Sequence, residues 1–354
     1  MFRYFSALFI ALLFSQFASA DIGFRQFRLN SESDRPIDAA LWYPTSDEGK
    51  PEQVGENIVF FGTPAHRDAK TIAQRHPLLL LSHGYGGNWR NLNWLASRMA
   101  QQGYIVAAVD HPGTTTLNKE TRAAQQLWRR PHDLTLLLDY LLKTPELAGP
   151  VDPERIAAVG HSLGGWTVIE LAGGLFSAGR FLEDCKTHQA LGGCKLTQVL
   201  GIDKPESATP LAASRRDARI KAVVSLDLGL ARGFTPESLA QISVPVLVMG
   251  AQADSDDVPA RFESGYLVDS LPKKLRRYVS VTGATHFSFM QTCKPGAEAL
   301  IDAQDPGDSI VCRDGGSLSR EAIHQHLFTT ISQFLNQALS YQPRNDENHP
   351  DSSR

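Results

Sequence analysis

Cysteine is scarce in this chain, and no long apolar run follows the first twenty residues. Four cysteines stand in 354 residues, at positions 185, 194, 293 and 312. No close cysteine or histidine pair has the spacing of a zinc-ligand set, so no metal centre is expected. An excess of either charge is also missing: 35 basic against 38 acidic side chains leave a formal net charge of -3. A nucleic-acid partner is therefore not expected, because it calls for a basic patch or stripe. There is no internal repeat, which excludes a solenoid or propeller, and no linker-like stretch divides two domains. Without a second apolar segment, no stable membrane span is expected.

The ends of the chain read as extra to the fold. Residues 1–20 have the form of a secretory signal: Arg3, an apolar core from Tyr4 to Phe14, and the small-residue site Ala18-Ser19-Ala20. The mature chain is then expected to begin near Asp21 and to be secreted or periplasmic. Residues 341–354 are polar, with two prolines, and read as a disordered tail. Between them, 21–340 is long enough for a single α/β domain with a substantial core. In an oxidising compartment the four cysteines fall into two sequence-local pairs, Cys185 with Cys194 and Cys293 with Cys312, which are expected to form disulfides.

Inside the domain, apolar strands alternate with amphipathic helices. Two strand-like runs, Phe24 to Leu29 and Ile37 to Tyr43, read as an antiparallel hairpin at the sheet edge, and 46–75 as a polar, irregular surface excursion. Then come strand 77–82, the glycine-rich loop His83-Gly84-Tyr85-Gly86-Gly87, helix 91–102, strand 104–110 and helix 127–143. In that last helix Leu134, Leu137, Leu138 and Leu141 share one face. Strands 220–227, 244–250 and 277–281 follow, and a helix from Ser319 to Leu339 closes the chain. The alternation predicts a doubly wound, mainly parallel sheet with ligands at the carboxyl ends of its strands. Residues 173–216 interrupt the pattern. They read as an insertion, with Leu175, Phe176, Phe181 and Leu182 as apolar surface to set over that end of the sheet as a cap.

The chemistry is concentrated in Arg155 to Gly165. An apolar strand ends on Gly160-His161-Ser162-Leu163-Gly164, a Gly-x-Ser-x-Gly turn, and a helix-compatible stretch follows at once. Small neighbours let Ser162 hold a strained backbone with its hydroxyl clear of the turn, at the positive end of a helix. Ser162 is the candidate nucleophile. A serine hydroxyl needs a general base, and the base needs a carboxylate to fix its tautomer. His286 stands directly after a late strand and is the candidate base. Asp254, one strand earlier, is the first choice of acid; Asp227, at the end of the strand before that, is the alternative, with Asp256 and Asp257 close by. The N–H groups of Leu163 and Tyr85 are the expected oxyanion donors. His83 and His161, beside the motif glycines, read as structural hydrogen-bonding groups, and Tyr85 and Trp166 as either pocket lining or packing.

On these residues the chain resembles the α/β-hydrolase superfamily. Leu81-Ser82-His83-Gly84-Tyr85-Gly86, Gly103 to His111, and Ile156 to Ile169 look like the secreted platelet-activating factor acetylhydrolases and the bacterial proteins called predicted dienelactone hydrolases. The stretch from Asp254 through Tyr266 to Pro272 and on to Gly283-Ala284-Thr285-His286-Phe287 is similar to bacterial cutinases and polyester hydrolases. Authentic dienelactone hydrolases use a cysteine nucleophile, where this chain has Ser162. The acetylhydrolases take their acid after the strand ending here at Asp227, the cutinases after the strand ending near Gly250, and this chain has an aspartate at both places.

The resemblance implies ester hydrolysis without a cofactor. The expected activity is an exported serine esterase acting on small-molecule esters of short to medium acyl chains, phospholipid-type acetyl esters among them. Two alternatives stand beside it: an acyltransferase using the same three residues, and a catalytically silent binding protein on this scaffold.

Overall fold

The computed structural model describes residues 21–253 and 255–340; the expected signal segment, the C-terminal tail and Asp254 lie outside the described residues. Ten strands form one sheet: β1 Asp21–Leu29, β2 Ile37–Thr45, β3 Glu52–Val54, β4 Thr63–Arg67, β5 His76–Ser82, β6 Ile105–Asp110, β7 Val151–His161, β8 Ala222–Leu226, β9 Val246–Ala251 and β10 Arg276–Val281. Their order is β10-β9-β8-β7-β5-β6-β2-β1-β4-β3. Strands β5 to β10 run parallel with their neighbours, and β2 joins them antiparallel through β6.

The expected hairpin is present, with Phe24 opposite Trp42 and Leu29 opposite Ile37. It is not the edge, however. Strands β3 and β4, in the region read as irregular, continue the sheet beyond it. The stretch Thr63–Arg67 contains a proline and three polar residues, so it lacks the apolar alternation that marks a half-buried strand.

The central strands read as unbroken apolar runs because both faces are covered. Side chains alternate along a strand, so Leu78 and Leu80 join one apolar cluster while Leu79 and Leu81 join the other. Helices Arg129–Lys143 and Leu163–Ala172 close the first face, and helices Asn93–Gln101 and Arg320–Ser340 the second. Each fully buried leucine contributes roughly 1.5–3 kcal/mol of burial. The loops after β5, β6, β7, β8, β9 and β10 therefore emerge on one rigid edge.

The insertion is anchored on that edge at several points. Phe176 and Phe181 are fully buried; Phe176 packs tilted against Phe181 and edge-on against Phe234. Ser177 N–H donates to Gly233 O at 2.8 Å and Gly192 N–H to Asp257 O at 2.8 Å, tying the insertion to the loops after β8 and β9. Lys204 Nζ reaches Gln125 Oε1 at 2.6 Å, on the loop after β6. Disulfides join Cys185 to Cys194 and Cys293 to Cys312, as the sequence pairing predicts. Among the described residues, no helix is long and apolar enough to cross a membrane.

Candidate active site

The turn from β7 into helix Leu163–Ala172 depends on glycine at two close approaches. A Cβ on Gly160 would lie 1.9 Å from Gly164 O, and one on Gly164 would lie 2.0 Å from Ser82 O. Both obstacles are backbone atoms that cannot swing aside. The strand and helix meet this tightly because Ser162 takes φ 55 and ψ -119. A side-chain-bearing residue held there costs on the order of 1–3 kcal/mol, and strain of this kind concentrates at functional sites. Ser162 N–H donates to Leu226 O at 2.9 Å, which fixes the turn to the end of β8.

Ser162 Oγ lies 3.0 Å from His286 Nε2, and His286 Nδ1 lies 2.6 Å from Asp227 Oδ2. A carboxylate only accepts, so the imidazole carries its proton on Nδ1 and leaves Nε2 to accept from the serine hydroxyl. The carboxylate at Nδ1 is thus Asp227, the alternative in the sequence reading. Asp254, the first choice there, lies outside the described residues. The physical reason is adjacency: β8 lies directly beside β7, so its end stands next to Ser162, and Asp227 is buried and fixed there. Asp227 takes φ 44. Its N–H donates to Met249 O at 2.7 Å and its Oδ1 accepts the Ala251 N–H at 2.8 Å.

His286 opens a short 3₁₀ turn, His286–Phe289, whose ends are held by side chains. Thr285 N–H donates to Ser288 Oγ at 2.8 Å, and Arg320 Nη1 donates to Phe287 O at 2.9 Å. The His286 carbonyl accepts from His161 Nε2 at 2.8 Å. Burial pushes the His161 ring down to about 3, so it stays neutral as a donor rather than serving as a base. His83 has the matching role on the neighbouring loop: its Nε2 accepts the His111 N–H at 3.0 Å and its Nδ1 donates to Gly84 O at 2.6 Å. Burial holds the His83 ring well below the usual imidazole range.

The glycine-rich loop closes over the serine. A Cβ on Gly84 would come within 3.1 Å of Ser162 Cβ. Gly86 N–H donates to Thr114 O at 2.9 Å and Thr116 N–H to Gly87 O at 2.8 Å, so the loop is stitched to the one after β6. Tyr85 is 38% exposed at the rim, with Leu117, 85% exposed, on the loop stitched to it. Trp166 is fully buried against Phe176 and Phe234, so it is packing and not pocket lining.

Two buried charge clusters flank the site, and the sequence reading missed both. Glu263 accepts from Arg232 Nη1 at 2.6 Å and from Ala231 N–H at 2.6 Å; burial, opposed by Arg232, pushes its carboxyl up to about 7. Arg232 also pairs with Asp184 of the insertion. The second cluster joins Arg35, His111, Arg130 and Asp133 beneath the glycine-rich loop. One signal for it is in the sequence: Arg130 stands in helical register with Leu134, Leu137 and Leu141, a cation on an apolar stripe. Among the described residues, no group of three or more histidine, cysteine, aspartate or glutamate side chains stands where it could hold a metal ion.

Similar proteins are found by both sequence and structure. A 25% identical match over 211 residues joins the chain to a bis(hydroxyethyl) terephthalate hydrolase of Streptomyces coelicolor, covering 59% of this chain and 50% of that protein. A cutinase of Thermobifida alba, est1, is 27% identical over 217 residues, covering 59% of this chain and 53% of that one. The chain thus spans about half the length of these curated relatives. A solved ferulic acid esterase from Streptomyces cinnamoneus superposes with a TM-score of 0.63 over 95% of each chain at 21% identity, a likeness of fold. Residues 78–299, which run from β5 through the elbow and past His286, match the model of the alpha/beta hydrolase family, and the chain belongs to that family.

Proposed function

We propose that the protein is an exported carboxylic ester hydrolase that works through an acyl-serine intermediate. The observation that carries this reading is the unbroken hydrogen-bonded chain Ser162 Oγ, His286 Nε2, His286 Nδ1, Asp227 Oδ2 beside the 84–87 loop. His286 takes the Ser162 proton as Oγ attacks the ester carbonyl carbon, and the carbonyl electrons move onto oxygen. Asp227 holds the ring in the tautomer that can accept this proton and stabilises the imidazolium that results. The N–H groups of Leu163, at the helix start, and Tyr85 receive the oxyanion. The tetrahedral intermediate collapses, His286 protonates the departing alcohol, and the acyl group remains on Ser162. Water then attacks with His286 as base again, and the acid leaves.

The relatives named above, cutinases and a terephthalate ester hydrolase, support carboxylic esters as the substrate class. Two disulfides support an oxidising compartment. The insertion, anchored on the loops after β6, β8 and β9, supports a preference for short to medium acyl chains. Purified mature protein is tested against p-nitrophenyl esters from acetyl to palmitoyl, alongside Ser162→Ala. Turnover that peaks at short chains and disappears in the variant is expected. Ester turnover undiminished in Ser162→Ala would overturn the assignment of the nucleophile.

A further inference from the structure

We infer that Arg130 is a positioning residue for the oxyanion donors, holding both of them from beneath with a single buried guanidinium. The inference rests on the esterase reading above and assigns a task to a residue that makes no contact with the triad.

Arg130 is 1% exposed, and its nitrogens reach three segments. Nη2 donates to His83 O, the carbonyl that immediately precedes Gly84-Tyr85, and to Ser82 Oγ at 3.3 Å. Nη1 donates to Thr114 Oγ1, whose residue accepts the Gly86 N–H through its own carbonyl. Nε donates to Thr167 Oγ1 at 3.0 Å, and Thr167 Oγ1 in turn donates to Leu163 O at 2.9 Å. One planar fork therefore grips the peptide leading into the Tyr85 donor, the loop that clamps the other side of Gly86, and the first residue of the elbow helix, which carries the second donor. A guanidinium has five N–H donors in fixed geometry, whereas an ammonium is a point charge on a flexible stem and cannot span all three.

The rest of the cluster holds Arg130's surroundings in a defined charge state. Asp133 receives Arg35 through Nε and Nη2, both at 2.8 Å, and His111 Nδ1 at 2.9 Å. Burial opposes the Asp133 charge, but these hydrogen bonds hold its carboxyl below the usual carboxylate range. His111 donates from Nδ1, so its Nε2 accepts from Ser82 Oγ at 2.9 Å, and burial pushes its ring down to about 3. Ser82, His111 and Asp133 thus repeat the serine–histidine–carboxylate order of the active site. They are fully buried, and they serve to hold Ser82 Oγ as an acceptor for Arg130. With two arginines, one carboxylate and neutral imidazoles, the cluster keeps one net positive charge under the loop where negative charge develops in the transition state.

The test compares Arg130→Lys and the milder Thr167→Val with wild type, using p-nitrophenyl butyrate and an alkyl trifluoromethyl ketone. The ketone forms a hemiketal with Ser162 and places an oxyanion in the same position. Removing an oxyanion donor outright costs about 10²–10³ in kcat, and displacing two donors slightly is expected to cost at least about tenfold. We expect Arg130→Lys to lower kcat by that factor with little change in KM. The ketone's inhibition constant should rise in step, and the pH profile of kcat should keep its inflection. Thr167→Val should show the same signature more weakly. Tyr43→Phe, which loses a hydrogen bond to Ala69 O far from the site, serves as a stability control and should keep wild-type kcat.

Wild-type kcat in folded Arg130→Lys would overturn the proposal, as would a fall in kcat without any weakening of the ketone. If Arg130→Lys does not fold, Thr167→Val decides by the same two readouts. Failure of the underlying esterase reading shows differently, as a wild type that turns over no ester or a Ser162→Ala variant that matches it.

Discussion

Asp227 presents one carboxylate oxygen to His286 Nδ1 at 2.6 Å and the other to the Ala251 N–H at 2.8 Å, so the carboxylate is held from the side opposite the imidazole. An amide in its place would keep a carbonyl oxygen for Ala251 but offer an N–H to the imidazole, turning the proton to Nε2. Asp227→Asn is therefore expected to lower kcat by about 10³–10⁴-fold with the fold intact. Asp254→Asn is expected to leave kcat near the wild-type value. Steady-state kinetics on both variants checks this, and the opposite ranking would return the role to Asp254.

Gly164 and Gly179 make a contrasting pair. A Cβ on Gly164 meets Ser82 O at 2.0 Å, whereas one on Gly179, in helix Ala178–Thr187, meets nothing within 4 Å. Gly164→Ala should cost about 3 kcal/mol or more through overpacking against backbone. Gly179→Ala should stabilise by up to about 1 kcal/mol through helix propensity. Urea unfolding of the two variants measures both signs; a Gly164→Ala protein as stable as wild type would contradict the close approach.

The disulfides close loops of different reach, with sequence separations of 9 and 19. Replacing either pair with serine should cost about 3 kcal/mol on loop-closure grounds. The effects on activity should differ. Cys293 and Cys312 bracket the segment that follows His286, which Arg320 and Thr285 tie to residues 311–313, so losing that bridge should lower kcat. Losing the Cys185–Cys194 bridge, in the insertion, should instead broaden acyl-chain preference. Equal effects of both on kcat alone would remove the insertion from substrate selection.

Acid should destabilise the protein in two stages. Burial pushes His111, His161 and His324 down to about 3 and holds His83 well below the usual imidazole range, so in the window below the ordinary histidine value the unfolded chain binds protons at these four rings that the folded chain does not. Each such histidine removes about 1.4 kcal/mol per pH unit across that window. Glu263 and Asp110 act in the opposite sense. Burial raises them to about 7 and about 6, so the folded chain holds their protons more tightly, a contribution present at low pH and lost as pH rises through those values. Stability should therefore fall gently as pH drops below 6.5 and more steeply below about 4.5, where Glu263 is protonated in both states, Asp110 joining it below about 3.8. Thermal unfolding from about pH 8 to pH 4 measures the curve, and His324→Gln should flatten it; a melting temperature constant across that range would refute the assignment.

Much of the site could be read in one dimension because its constraints are local. The elbow needs glycines at fixed offsets around Ser162; for Gly160 the steric reason is local, against Gly164, while for Gly164 it is Ser82 on the neighbouring strand. The parallel strands announce themselves as unbroken apolar runs because both faces are buried, and the helices by their 3.6-residue period. His286 followed from its place directly after a late strand. The cysteine pairs were legible from their spacing.

Other features depended on which segments become neighbours. Two aspartates end or follow consecutive strands, and the sequence reading put Asp254 before Asp227; β8 lying beside β7 puts Asp227, at φ 44, against His286. Strands β3 and β4 carry no apolar alternation of their own; β4 is a strand because the edge of β1 offers it hydrogen-bonding partners, and β3 because β4 does. Arg130 lies on an apolar stripe where a cation is unexpected, and its acceptors come from residues 82, 83, 114 and 167, segments that only the closed sheet brings together. The amino-acid sequence by itself marked the candidate nucleophile, its glycine-flanked turn and the strand-helix alternation, since each is a pattern read over a few consecutive residues. Tertiary structure alone decided which carboxylate meets His286, the sheet's outer edge and the buried charges under the glycine-rich loop, because each is a question of which distant backbone or charge lies within hydrogen-bonding reach.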